Sequence, residues 1–155
     1  MANVTVFSVI EQAIVNEEIS INLYRMLTKK VKEKNSNETF SYLANEEVKH
    51  KEFLQNYLGG KCPEGGLDLK TPVDYKVIEY LEAPLPSETM RPQDAFLLAA
   101  GREKKSHEFY LHLAEIHPEG PVKDLLKRLA SEELAHKEKV EYLYANTAFP
   151  QTDGG

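Results

Sequence analysis

Cysteine occurs once in the 155 residues, at Cys62, so the chain has neither an internal disulfide nor a Cys-x-x-Cys pair. That removes a disulfide-stapled fold, a zinc ribbon and an iron site built from four thiolates, and leaves Cys62 as a loop thiol. Tryptophan is absent. No run of about 18 apolar residues occurs, which excludes a membrane-spanning helix. The first eight residues, MANVTVFS, lack a basic region leading into an apolar stretch, so no secretory signal is expected and the cytoplasm is the default location. A basic excess is missing too: 19 Lys and Arg stand against 25 Asp and Glu, a net charge of −6. Nucleic acid is therefore not an expected partner, because binding its phosphates draws on clustered Lys and Arg.

What is present is helical periodicity. At this length a single domain, residues 1–155, is expected. Ser8 and Glu11 have capping-box spacing, with Thr5 as another start. From there Ile10, Ala13, Ile14, Glu17, Ile21, Tyr24, Leu27 and Val31 recur at steps of three and four, one face of an α-helix. The polar run Lys32 to Asn37 reads as a short turn, and Asn37 can cap a second helix. Its stripe is Phe40, Leu43, Glu47, His50, Leu54 and Tyr57 or Leu58, and Gly59-Gly60 stops it. Two long helices joined by so short a turn form an antiparallel hairpin.

Glycine and proline then punctuate residues 59–91, with one short helix expected around Val73 to Leu81. This stretch is long enough to serve as a crossover running the length of a bundle. Pro92 opens a third helix, with Phe96, Ala99, Ala100, Glu103, Ser106 or His107, Tyr110 and Leu113 on one face. Pro118 and Gly120 end it. Pro121 opens a fourth, whose inward residues are Val122, Leu125, Leu129, Glu133, His136, Val140 and Leu143; an irregular tail is expected after Asn146. The fold class is all-α: an antiparallel four-helix bundle of two hairpins, about 6–58 and 92–146.

The two hairpins repeat one another. LANEEVKHKEFL at 43–54 has a near copy in LASEELAHKEKV at 129–140, an offset of 86. The same offset takes Ala13 to Ala99, Glu17 to Glu103, Ser20 to Ser106, Tyr24 to Tyr110 and Leu27 to Leu113. Residues 8–58 and 94–144 align without a gap at thirteen identities in fifty-one positions. One Glu-x-x-His in a chain with 20 Glu and 5 His is within chance. Two at the offset that also pairs Glu17 with Glu103, all on otherwise apolar faces, are not what solvated helix surfaces produce.

Residues three apart on a helix share a face, so Glu47 with His50 and Glu133 with His136 point inward together. With Glu17 and Glu103 they offer four carboxylates and two imidazoles, the ligand pattern of di-iron and di-manganese carboxylate bundles. Two divalent cations cancel the charge of four carboxylates. Without them, protonation or loosening is expected, since an unpaired buried ion is destabilising by several kcal/mol. Buried Glu–His salt bridges without metal are the bland alternative. Tyr24 and Tyr110, seven residues beyond Glu17 and Glu103, are either core residues or hydrogen-bond partners of those carboxylates. Glu18, Glu46 and Glu132 lie about 100° off the inward stripe and are expected in solvent. His107, His112 and His117, five apart, do not form a helical metal site.

At these residues, over about two-thirds of its length, the chain resembles the ferritin-like superfamily, and within it rubrerythrin-like proteins lacking a rubredoxin domain. The resemblance implies a non-haem di-iron centre, with Glu17, Glu47, His50, Glu103, Glu133 and His136 as ligands and Glu47 and Glu133 as bridges. It implies that the reduced centre reacts with hydrogen peroxide or dioxygen. Rubrerythrins proper place a further ligand glutamate where this chain has Ser106, and they carry a Cys-x-x-Cys iron domain that this sequence lacks. Turnover is thus expected to need an external electron-donor protein, and a homodimer is the expected assembly. Manganese or zinc also suits such ligands. Ferritin-like Fe(II) oxidation and iron handling, or a non-enzymatic helical binding module held together by metal, are the competing readings.

Overall fold

Four helices account for nearly all the backbone described: α1 Val6–Lys30, α2 Lys34–Leu58, α3 Pro92–Glu115 and α4 Pro121–Ala148. The structure is a computed structural model, and it describes residues 6–58, 86 and 89–148. The short helix expected at 73–81, Cys62, Thr5 and most of the tail lie outside the described residues. Among the described residues there is no strand, and no helix is long and apolar enough to cross a membrane.

Two boundaries differ from the reading of the sequence. Helix α2 starts at Lys34, not after Asn37, because Glu33 does the capping: its carboxylate accepts the Asn35 and Ser36 N–H groups at 3.1 and 2.7 Å. A carboxylate at a helix N-terminus satisfies orphan donors and faces the positive end of the dipole. Asn37 turns back instead, its amide donating to the carbonyls of Thr28 and Val31 that end α1. Helix α4 continues through Thr147 and Ala148 beyond Asn146, whereas α1 runs from Val6, the expected start of the first hairpin, with Ser8 inside it. The start of α3 is as expected: Pro92 follows Arg91, whose guanidinium grips Asp94 at 2.9 and 3.2 Å. Gly120, at φ +153°, supplies a backbone angle that side-chain-bearing residues rarely adopt, immediately before Pro121 opens α4.

The topology follows from one backbone contact. Met90 N–H donates to Lys30 O at 3.2 Å, so the start of α3 sits at the end of α1. The turn from α1 into α2 is at that same end, so α2 finishes about 37 Å away, the length of a 25-residue helix. Residues 59–91 therefore connect opposite ends of the bundle, as the crossover requires. Helix α1 packs mainly on α2 and α3 mainly on α4, with a smaller α1–α3 interface.

Two apolar clusters fill the two ends. One joins Tyr24, Leu27, Val31, Phe40, Leu43, Phe96, Ala99 and Val140; the other joins Val9, Ile10, Ala13, Leu54, Tyr110, Leu113, Leu126 and Leu129. The first takes the end of α1 and the start of α2, the second the reverse. Between them, at mid-bundle, every inward stripe switches from aliphatic to ionisable residues: Glu17, Glu47, His50, Glu103, Glu133 and His136 are all at most 3% exposed.

Candidate metal centre

The six residues converge. Among the described residues they form two groups that could each hold a metal ion: Glu17, Glu47, His50 and Glu133, and Glu47, Glu103, Glu133 and His136, with ligand atoms in each group within 4.8 Å of one another. Glu47 and Glu133 belong to both groups, the shared position expected of bridging carboxylates. Each group keeps one private glutamate and one imidazole, and each draws on both hairpins.

The distances repeat the internal symmetry of the sequence. His50 Nδ1 stands 3.0 Å from Glu133 and 3.5 Å from Glu17; His136 Nδ1 stands 3.0 Å from Glu47 and 3.5 Å from Glu103. The two rings lie nearly parallel, with centroids 5.8 Å apart. In both histidines Nδ1 faces the glutamates of the six-residue cluster.

The two tyrosines take the hydrogen-bonding role, and they cross between hairpins. Tyr110 of α3 donates to Glu17 of α1 at 2.5 Å, and Tyr24 of α1 donates to Glu103 of α3. Burial, then the charge of the nearest carboxylate, pushes both phenols well above their ordinary pKa. They stay protonated and so remain donors.

Electrostatically the cluster is incomplete as it stands. Glu17 Oε2, Glu103 Oε2, both oxygens of Glu47, both oxygens of Glu133 and His50 Nδ1 are buried without a hydrogen-bond partner. Buried polar atoms are paired in folded proteins, so a concentration of orphans at one point marks a missing partner of positive charge. Burial, followed by the charges of Glu133, Glu17 and Glu103, pushes Glu47 well above the usual carboxylate range; burial and Glu133 push Glu103 the same way. At Glu133 burial also acts upward, but the His50 imidazole, with Nδ1 3.0 Å away, and the charge of His136 hold it down at about 2. His50 is raised although burial opposes its charge, because Glu132, Glu133 and Glu17 surround it. Divalent cations would meet every one of these orphan atoms, and the donor set of carboxylate and imidazole fits iron, manganese or zinc.

One residue departs from its expected place. Glu132 is not in solvent: it is 6% exposed, and its Oε2 lies 3.3 Å from His50 Nε2, behind the ring. Being 100° off the inward stripe does not expose it, because the packing of α4 turns that flank toward the back of His50. The repeat held the signal, since Glu46 and Glu132 also stand at the offset of 86. Glu46, at the matching place, is half-buried, hydrogen-bonded by Tyr42 and 3.7 Å from Lys49. Glu18 is exposed and pairs with Lys51 at 3.3 Å. His107 Nδ1 meets the Ala130 carbonyl at 2.7 Å and His117 Nδ1 the Leu113 carbonyl at 2.8 Å, while His112 is exposed; none of the three joins the cluster.

Comparison with known proteins agrees with this geometry. The family model described as rubrerythrin matches residues 8–144. No curated protein and no solved structure matches the chain.

Proposed function

This chain belongs to the rubrerythrin family, and from that premise we propose that it is a di-iron oxidoreductase that reduces hydrogen peroxide or dioxygen with electrons from a separate donor protein. The observation that carries the proposal is the pair of four-residue groups sharing Glu47 and Glu133. A single metal site would not need two histidines facing one carboxylate pair from opposite helices.

Glu17, Glu47, His50 and Glu133 would hold one iron, and Glu47, Glu103, Glu133 and His136 the other. When bound, two ferrous ions would supply the two electrons that cleavage of a peroxide O–O bond consumes, or half of the four that full reduction of dioxygen needs, the remainder coming from the donor protein. The protein fixes everything around them. Tyr24 and Tyr110 orient the two private carboxylates by donating to them, and Glu132 orients His50 so that Nδ1 faces Glu17, Glu47 and Glu133. The apolar clusters on either side keep bulk water out and sharpen the electrostatics at mid-bundle. Re-reduction would come from the separate donor protein.

Anaerobic loading with Fe(II) at two per chain, followed by one equivalent of peroxide or of dioxygen under Mössbauer and optical observation, tests the reading. Stoichiometric oxidation with the iron retained and re-reducible is expected. Continued uptake of excess Fe(II) would favour iron handling instead, and no oxidation by either oxidant would overturn the proposal.

A further inference from the structure

On the α1–α3 side of the centre lies a buried polar network that the ligand set does not use. Ser20 and Ser106 are related by the internal repeat, stand three residues beyond Glu17 and Glu103 respectively, and are both fully buried. Three residues along a helix keep the same inward flank and advance it about 4.5 Å. Asn16, 6% exposed, and the half-buried Arg102 occupy equivalent places in the two repeats.

The hydrogen bonds cross between the hairpins and have a direction. Arg102 Nε donates to Ser20 Oγ at 2.9 Å, and its Nη2 donates to Asn16 Oδ1. A guanidinium only donates, so both of those oxygens must accept. With Asn16 Oδ1 committed to Arg102, the amide presents Nδ2 to Ser106 and donates to its Oγ at 2.8 Å. Each serine oxygen thus accepts one hydrogen bond, and each retains an O–H to donate. No acceptor for either proton stands among the described residues. A buried hydroxyl that has to donate and has nothing to donate to is an unfilled half of a contact.

We propose that Ser20 and Ser106, oriented by Arg102 and Asn16, are paired hydrogen-bond donors for a small anion with oxygen or nitrogen lone pairs, of the hydroperoxide class, taken up on the α1–α3 side of the metal centre. This rests on the two-metal reading above. The imidazoles enter from α2 and α4, so they leave this side to α1 and α3. Two divalent cations would neutralise the four carboxylates, and the Arg102 guanidinium bonded into this network favours an anion over a neutral guest.

Cobalt(II) tests this without turnover, because its visible spectrum responds to added ligands. Wild type and the Ser20→Ala/Ser106→Ala double variant, each loaded with cobalt, are titrated with sodium azide. Both are expected to take two cobalt ions per chain, with azide binding at least about tenfold weaker in the double variant, as loss of two hydrogen bonds predicts. Ser106→Thr, which keeps the hydroxyl, is expected to bind azide as wild type does. Arg102→Gln alters only a half-buried side chain and is expected to weaken azide as well, so the proposal stays testable should the double variant fail to fold. Equal azide affinity in wild type and variants, or no azide binding to cobalt-loaded wild type, would overturn the proposal alone. Failure of wild type to take up two cobalt ions would overturn the two-metal reading and this proposal with it.

Discussion

Glu132 Oε2 lies 3.3 Å from His50 Nε2, on the side of the imidazole opposite the Nδ1 that faces Glu17, Glu47 and Glu133. The carboxylate accepts a hydrogen bond from Nε2–H, so when His50 gives up a proton to bind metal it is Nδ1 that is freed as the lone-pair nitrogen. Glu132→Gln is expected to weaken metal binding about 10- to 100-fold with the helix content unchanged. Calorimetric titration with Co(II) measures it, and an affinity equal to wild type would show that Glu132 merely fills space.

The crossed tyrosines give a test of the pseudo-symmetry. Tyr110→Phe leaves Glu17 without its donor and Tyr24→Phe does the same to Glu103. Each is expected to cost about 1.5–3 kcal/mol, the range for hydrogen bonds to charged groups. Equivalent positions should show effects of the same size in urea unfolding of the loaded protein; a large effect at one and none at the other would break the equivalence.

Metal removal is expected to lower thermal stability. A ligand held at about 100 times its Kd adds about 2.7 kcal/mol per site, and about 1 kcal/mol moves Tm by about 2–4 °C in a protein of this size. Two sites together predict a fall in Tm of about 10 °C or more on chelation. Scanning calorimetry before and after treatment with chelator checks it, and an unchanged Tm would mean that the orphan atoms at mid-bundle are not metal ligands.

The pH dependence of the metal-free protein has a definite sign. Glu47 and Glu103 are raised from 4.5, and His50 is raised from 6.5, so above those values the folded chain binds more protons than the unfolded one. The stability they contribute is fully present below the unfolded pKa and is lost as pH rises through the folded one. Glu133, lowered from 4.5 to about 2, works the other way, and its contribution is lost as pH falls from 4.5 toward 2. The metal-free bundle should therefore be most stable near pH 5 and weaken toward pH 8. The loaded bundle should strengthen over that interval, because metal requires deprotonated ligands. Urea midpoints at pH 5 and pH 8 decide it, and a metal-free protein more stable at pH 8 would contradict the sign.

The six clustered residues were legible because helical period and internal repeat agree on them: each falls on an apolar stripe, and each has its counterpart 86 residues away. Glu132 was not, because which flank of α4 is covered depends on how α2 and α4 rotate against one another, and periodicity within one helix carries no such information. The tyrosines could be put on the inward face but not paired, since the pairing crosses from α1 to α3. The start of α2 was misplaced because Asn37, a preferred capping residue, competes with Glu33, and the winner is decided by the α1 carbonyls that Asn37 reaches. Asn16 and Arg102 escaped notice because the repeat equates them while their chemistry differs.

The central claim is that these six residues hold two metal ions in one site. Iron content and Mössbauer spectra of the oxidised, iron-loaded protein test it most directly, alongside Glu47→Ala and Glu133→Ala, which remove the shared carboxylates. The expected result is two irons per chain as one spin-coupled pair, with the coupled signal lost in both variants. One iron or none per chain in wild type, or a coupled signal that survives removal of Glu47 and of Glu133, would contradict it.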